Sequence, residues 1–339
     1  MNVQPALGIE VHGAGPAGSV AAIAARLAGA EVDLYDPSSF PRQRVCGEFL
    51  SPDAFPILEG LGLGEAFAAL QPARYSEMVL RFGHRTIRSA LPATAYGISR
   101  QAFDQLLLDR ALALGVRLHR ERGPTVFTRP TVVAHGRQTA VNTPRGQRLF
   151  GFKAHFNGVT TDPLTLCFLG RSYVGMNIVE NGDINVCGIA PEGALHSHSF
   201  DVDSYLDALP VIRPLLRPLT RTTPWLTTGP LVYDQRFQMV DQYQYPAGDT
   251  LSFVDPFTGS GLLCALLTGD LAGRAAGGAI SPLRYLQMCQ KSLRRPFLAA
   301  SLFRSVLRTP LAGILATLVP AAWMVPATRP ALLSKSFKM

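Results

Sequence analysis

Cysteine is scarce in this chain, and acidic residues are missing from its end. The five cysteines, Cys46, Cys167, Cys187, Cys264 and Cys289, are an odd number and form no Cys-x-x-Cys pair. That pattern speaks against a disulfide framework or a zinc site, and a reducing cytoplasmic compartment is the natural expectation, with no metal. No basic segment leading into a long apolar run opens the chain, so no cleaved signal peptide is expected. Tryptophan occurs only at Trp225 and Trp323, and no segment repeats at a fixed period. No acidic residue follows Asp270.

What is present describes a globular protein. The chain has 339 residues, 47% apolar and 17% charged, which excludes disorder and suggests about two domains. Of the 32 basic residues, ten fall after Asp270; the first 270 positions hold the other 22 against all 24 acids. The formal charge of +8 therefore belongs to the C-terminal segment. A nucleic-acid-binding body is disfavoured, because its cationic stripe would have to lie on the folded domain. Thr309 to Thr328 carries no charge but contains Pro310, Pro320 and Pro326. Four readings of this segment stay open: a helix packed on its own domain, a transmembrane helix, a peripheral membrane contact, and a docking site for an acidic carrier protein that presents the substrate.

Local patterning places the elements. Ile9–His12 reads as a strand, Gly13-Ala14-Gly15-Pro16-Ala17-Gly18 as a turn, the Ala-rich run to about Ala28 as a helix, and Glu31–Asp36 as a second strand. A helical stretch is expected near Pro52–Leu70, strands over about 73–95, and a helix from Arg100 to Leu114 that stops at Gly115. From about 146 to 240 the pattern alternates as in a sheet, with a hairpin turn at Glu180-Asn181-Gly182-Asp183. Strand–helix character returns at Thr250–Val254 and after Gly261.

The first turn carries the strongest chemical signal. Gly13 permits a tight turn, Gly15 lets backbone approach a pyrophosphate, and Gly18 allows close strand–helix packing. The helix N-terminus offers N–H donors to phosphate. Asp36, 18 residues after Gly18, stands where an acid can accept bonds from a ribose diol.

Three further segments give this dinucleotide site a family likeness. They are Pro41-Arg42-Gln43-Arg44-Val45-Cys46-Gly47-Glu48, Arg100 opening its helix, and Gly248-Asp249 followed by Asp255-Pro256-Phe257-Thr258-Gly259-Ser260-Gly261. With the glycine turn they resemble the FAD-dependent oxidoreductases of the geranylgeranyl reductase and aromatic hydroxylase superfamily. The resemblance implies that FAD is held by Gly13, Gly15, Pro16, Ala17, Gly18 and Asp36. It also implies roles for Arg42, Cys46 and Gly47 in the loop passing the flavin, and for Arg100 near the diphosphate. Asp249 would bind flavin hydroxyls, and Pro256, Gly259, Ser260 and Gly261 would form the turn beside the isoalloxazine.

The implied fold class is α/β: a Rossmann-type, glutathione-reductase-like FAD-binding domain with an inserted antiparallel-sheet substrate domain and a helical C-terminal tail. The expected divisions are 1–72, 96–145 and 240–280 for the first, 73–95 and 146–239 for the second, and 281–339 for the tail. NAD(P)H is the implied transient reductant, and a bulky hydrophobic small molecule the implied substrate. Catalytic candidates are few. Cys46 reads as a flavin-facing thiol or as loop packing, Glu48 as a proton donor or a solvated loop acid, and Tyr173 as a pocket residue or sheet packing. The Tyr-x-Trp-x-Phe-Pro stretch of the reductase branch is replaced by Tyr173-Val174-Gly175-Met176-Asn177-Ile178. This difference favours an NAD(P)H-using monooxygenase over an oxygen-independent reductase, with a non-catalytic flavin-binding membrane partner as the reading from another class.

Overall fold

Short, apolar, β-branched strands separated by an Ala-rich helix produce a parallel unit at the start of the chain. In the computed structural model, which describes residues 8–83, 85–137, 148–231, 234–235, 241–253, 258–307 and 330, strand β1 (Gly8–His12) leads into helix α1 (Pro16–Leu27) and strand β2 (Glu31–Tyr35). A five-stranded parallel sheet grows from this pair. Its order is Gln244–Pro246, Thr131–Val133, β1, β2, Arg117–His119. Thr131–Val133 and β2 thus flank β1, Gln244–Pro246 adds outside Thr131–Val133, and the order reverses beside β1, where a doubly wound sheet leaves a crevice for ligands.

Helix Gly261–Arg274 packs directly on α1. A Cβ at Gly269 or Gly273 would collide with the carbonyls of Ala17 and Ala21, so the two backbones meet with no side chain between them. Alanines 21, 22, 24 and 25 of α1 are fully buried in the same core. The helical stretch expected over Pro52–Leu70 is broken into a 3-10 turn (Pro52–Ala54) and two short helices, Phe55–Gly60 and Gly64–Ala69. Gly62, at φ +70°, separates the helices. The helix Arg100–Ala113 is capped by Ser99, whose hydroxyl accepts from the Ala102 N–H at 3.1 Å.

A second, nine-stranded sheet is largely antiparallel. Its main path runs Leu219–Arg221, Leu149–Gly158, Ile184–Pro191, Ser172–Ile178, Leu164–Leu169, Ala73–Phe82, Arg85–Gly97, Phe49–Leu50, and Leu226–Thr228 adds to Leu149–Gly158. One pair, Ala73–Phe82 with Leu164–Leu169, is parallel. Alternation sorts its side chains onto two faces. Phe152, Ala154 and Phe156 turn toward the helices bearing Leu195, Tyr205 and Leu206, forming a separate core. Lys153 and His155 take the other face, in register with Cys187 and Asn185 and, one strand further, Gly175 and Asn177. The chemistry collects on this second face.

Candidate active site

The glycine turn is built by sterics. Gly13 sits at φ +103°, and a Cβ at Gly18 would collide with the Gly13 carbonyl. Gly15 is the N-cap of α1, Pro16 and Ala17 open the helix, and no side-chain cap or acidic residue occupies its first turn. The positive end of the helix is therefore left for an external acceptor.

Asp36 is tied into this turn. Its carboxylate accepts from the Ala14 N–H (2.8 Å), the Ser38 N–H (2.9 Å) and both terminal nitrogens of Arg42 (2.9 and 3.0 Å). Burial opposes its charge, but Arg42 and the backbone donors outweigh burial and hold the carboxyl below its ordinary range. Each oxygen already has two donors, so a ribose hydroxyl reaching Asp36 must displace Arg42. The Arg42 guanidinium also lies 4.1 Å over the Phe40 ring and faces Gly15, and its Nε is buried without a partner.

Arg100 is placed differently from Arg42. It pairs with Asp104 at 2.6 and 2.7 Å and touches Cys46, and Asp104 offsets the burial that would otherwise lower its pKa. Arg44 was not singled out by sequence reasoning. It is exposed, and burial of part of it, together with the charges of Arg42 and Arg100, pulls its pKa down. The Arg-x-Arg spacing in the 41–48 segment was the available signal.

Cys46 is half-buried and its sulfur accepts from the Glu48 N–H at 3.4 Å. Gly47 is exposed, with the Cys187 sulfur 3.8 Å from where its Cβ would stand. Glu48 is neither solvated nor a ready proton donor. It is fully buried at φ +50°, and its carboxylate is shared among three donors: the Arg100 N–H (2.7 Å), His155 Nε2 (2.6 Å) and Lys153 Nζ. Burial pushes its pKa up, yet His155 and Lys153 bring the net shift below 4.5, so it is a carboxylate at neutral pH. Lys153 also donates to Gln43 at 2.6 Å. A cavity of about 550 Å³ adjoins this cluster, bounded by Gln43, Gln101, Gln105, Lys153, His155 and Glu180. Lys153 and His155 were not legible as site residues, because nothing near them in sequence marks them.

Gly248 packs against Ala17, which brings Asp249 toward the first turn. Burial raises the Asp249 carboxyl's pKa, against the pull of Arg137 and Arg100. Gly259 approaches the Phe49 ring at 2.9 Å from its Cβ position. Ser260 is the buried N-cap of helix Gly261–Arg274 and gives it no side-chain cap; its hydroxyl lies 2.6 Å from that of Thr258. Pro256 lies outside the described residues. Tyr173 is not gathered with Cys46 and Glu48. It packs on the cluster of Leu80, Phe82 and Phe168, where the two phenylalanine rings stack at 4.8 Å.

No family model matches the chain. A segment of 68 residues is 46% identical to a menaquinone reductase of Mycobacterium tuberculosis, covering 20% of this chain and 17% of that protein. The match thus spans less than a fifth of the curated relative's length. Among solved structures, a triple mutant of the flavin-dependent brominase Bmp2 superposes with a TM-score of 0.79 at 17% identity, covering 95% of this chain and 94% of that one. A geranylgeranyl bacteriochlorophyll reductase-like protein from Thermoplasma acidophilum gives 0.71 at 19% identity, covering 97% and 94%. The fold is that of the FAD-dependent oxidoreductases. This α/β architecture joins a Rossmann-type domain to a sheet domain, as the four motifs imply.

The residues present suit FAD. The orphaned Arg42 Nε and the uncapped start of α1 are donors lacking acceptors, the complement of a diphosphate. The second uncapped N-terminus, at Ser260–Gly261, suits a ring carbonyl oxygen.

Proposed function

We propose that the protein is an FAD-dependent oxidoreductase of a hydrophobic small molecule, with NAD(P)H as transient reductant. The observation that carries the reading is the pair of uncapped helix N-termini, at Gly15–Pro16 and Ser260–Gly261, which abut opposite ends of the 42–49 segment. The bound flavin would supply two-electron redox chemistry. The chain's own residues would bind, orient and exclude water. Gly13–Gly18, Arg42 and Arg44 would hold the diphosphate, and Asp249 would hold hydroxyls. The Ser260–Gly261 turn would face a carbonyl whose charge grows on reduction.

The substrate side is the sheet face that carries both an aromatic patch and a polar cluster. Phe82, Phe168 and Tyr173 suit an apolar body, and Lys153 and His155 offer donors to an oxygen at its end. Glu48 accepts from Lys153 Nζ and fixes His155 with its proton on Nε2, because a carboxylate can only accept.

The menaquinone reductase match favours oxygen-independent reduction of an isoprenoid- or quinone-like substrate over the hydroxylation that the Tyr173–Ile178 stretch favoured. The test is direct. Purified protein should take up FAD with a flavin absorption spectrum, and NAD(P)H should bleach it and support turnover in anaerobic buffer. Turnover only with stoichiometric oxygen consumption would make it a monooxygenase. Protein that gains no flavin spectrum would overturn the whole reading.

A further inference from the structure

The helix Pro282–Leu307 holds a surface that the redox site does not use. Its inner face is committed: Tyr285, Leu286, Cys289, Leu293 and Ala300 are buried in the core. Its outer face carries three leucines that are mostly in solvent, Leu283 (53% exposed), Leu298 (58%) and Leu302 (69%). The exposed cations Arg284, Lys291, Arg294 and Arg295 lie among them. By the helical repeat these seven fall within an arc of about 120°. No acidic residue interrupts them, since the last acid in the chain is Asp270.

We infer that this face docks the protein on an anionic lipid bilayer, the leucines entering the acyl boundary and the cations meeting lipid phosphates. A helix of 26 residues lying in the membrane plane can satisfy both sets at once, because long basic side chains keep their charges at the headgroups while their neighbours sink deeper. The other occupants fit less well. A second copy of the same face would oppose like charges. The uncharged 309–328 run of this chain would cover the leucines but strand four cations without partners. Among the described residues no helix is long and apolar enough to cross a membrane.

The inference stands apart from the flavin reading, because its readout is vesicle binding without turnover. The full chain is sedimented with vesicles of phosphatidylcholine alone, or of phosphatidylcholine mixed with phosphatidylglycerol, at low and high salt. Binding to the anionic vesicles only, weakened by salt, is expected. Replacing Arg284, Lys291, Arg294 and Arg295 together by Gln should lower the partition on the order of 1,000-fold. Leu298→Ser with Leu302→Ser should lower it about tenfold while leaving circular dichroism unchanged. Wild-type protein left in the supernatant, or a four-Gln variant that partitions as wild type does, overturns the proposal. Binding that depends on the cations but not on the leucines, with equal retention on polyglutamate, overturns it in favour of an acidic protein partner.

Discussion

Replacing Glu48 by Gln removes one charge from a site where water cannot compensate. The side chains of Glu48, Lys153 and His155 are 0%, 2% and 5% exposed. Removing one member of such a buried ion pair costs about 3–5 kcal/mol, because the remaining charge is left unpaired. The amide oxygen of Glu48→Gln still accepts from the Arg100 N–H, and its NH2 can donate to the His155 ring once the imidazole proton moves to Nδ1, so the lower end of that range, about 3 kcal/mol, is expected. With a denaturant slope near ~3 kcal/mol per M, the urea midpoint falls by about 1 M.

Two controls separate this cause from general damage. Adding Lys153→Met should recover most of the loss, since the stranded cation is then gone. The pH dependence has a definite sign. Glu48 has a folded pKa below its ordinary 4.5, so its contribution is fully present above 4.5 and is lost as pH falls toward the folded value. The gap between wild type and Glu48→Gln should be widest at neutral pH and close under acid. A midpoint shift under about 0.3 M at neutral pH would refute the reasoning. So would a gap that stays constant down through the carboxylate range.

Three further outcomes follow from the packing. Gly18→Ala forces a Cβ into the Gly13 carbonyl and should weaken FAD binding by about 10–100-fold in a fluorescence titration, in line with an overpacking cost of about 1–3 kcal/mol. Gly273→Val pushes α1 away from helix Gly261–Arg274 at Ala21, and should lower the thermal midpoint whether or not FAD is present. Burial pushes the thiols of Cys167, Cys187 and Cys289 up to about 12, so native protein treated with iodoacetamide should stay unlabelled there by mass spectrometry. Rapid labelling of Cys187 in native protein would mean that the sheet face opens to solvent.

The parts legible in the sequence share a physical scale. The turn Gly13–Gly18, the helix after it and the acid ending the second strand are decided by contacts within one βαβ unit, where sterics and alternation act locally. The break of the Pro52–Leu70 stretch was partly readable at Gly60 and Gly62, yet an apolar run with helical spacing overshadowed it. The roles of the arginines were not readable. Arg42 and Arg100 each stand near a carboxylate in sequence, and only the fold lays Arg42 beside the glycine turn and encloses Arg100 with Asp104.

By itself the sequence determined that a βαβ unit with a glycine turn exists and that the positive charge gathers after Asp270. Both follow from composition and short spacing, which survive any long-range arrangement. Only the tertiary structure decided the rest. It seats Glu48 on Lys153, 105 residues away, sets aromatic and polar patches on one sheet face, and turns the cations of the last described helix outward with three leucines. Those outcomes depend on which strands become neighbours and which helix face meets the core, and no local pattern carries that information.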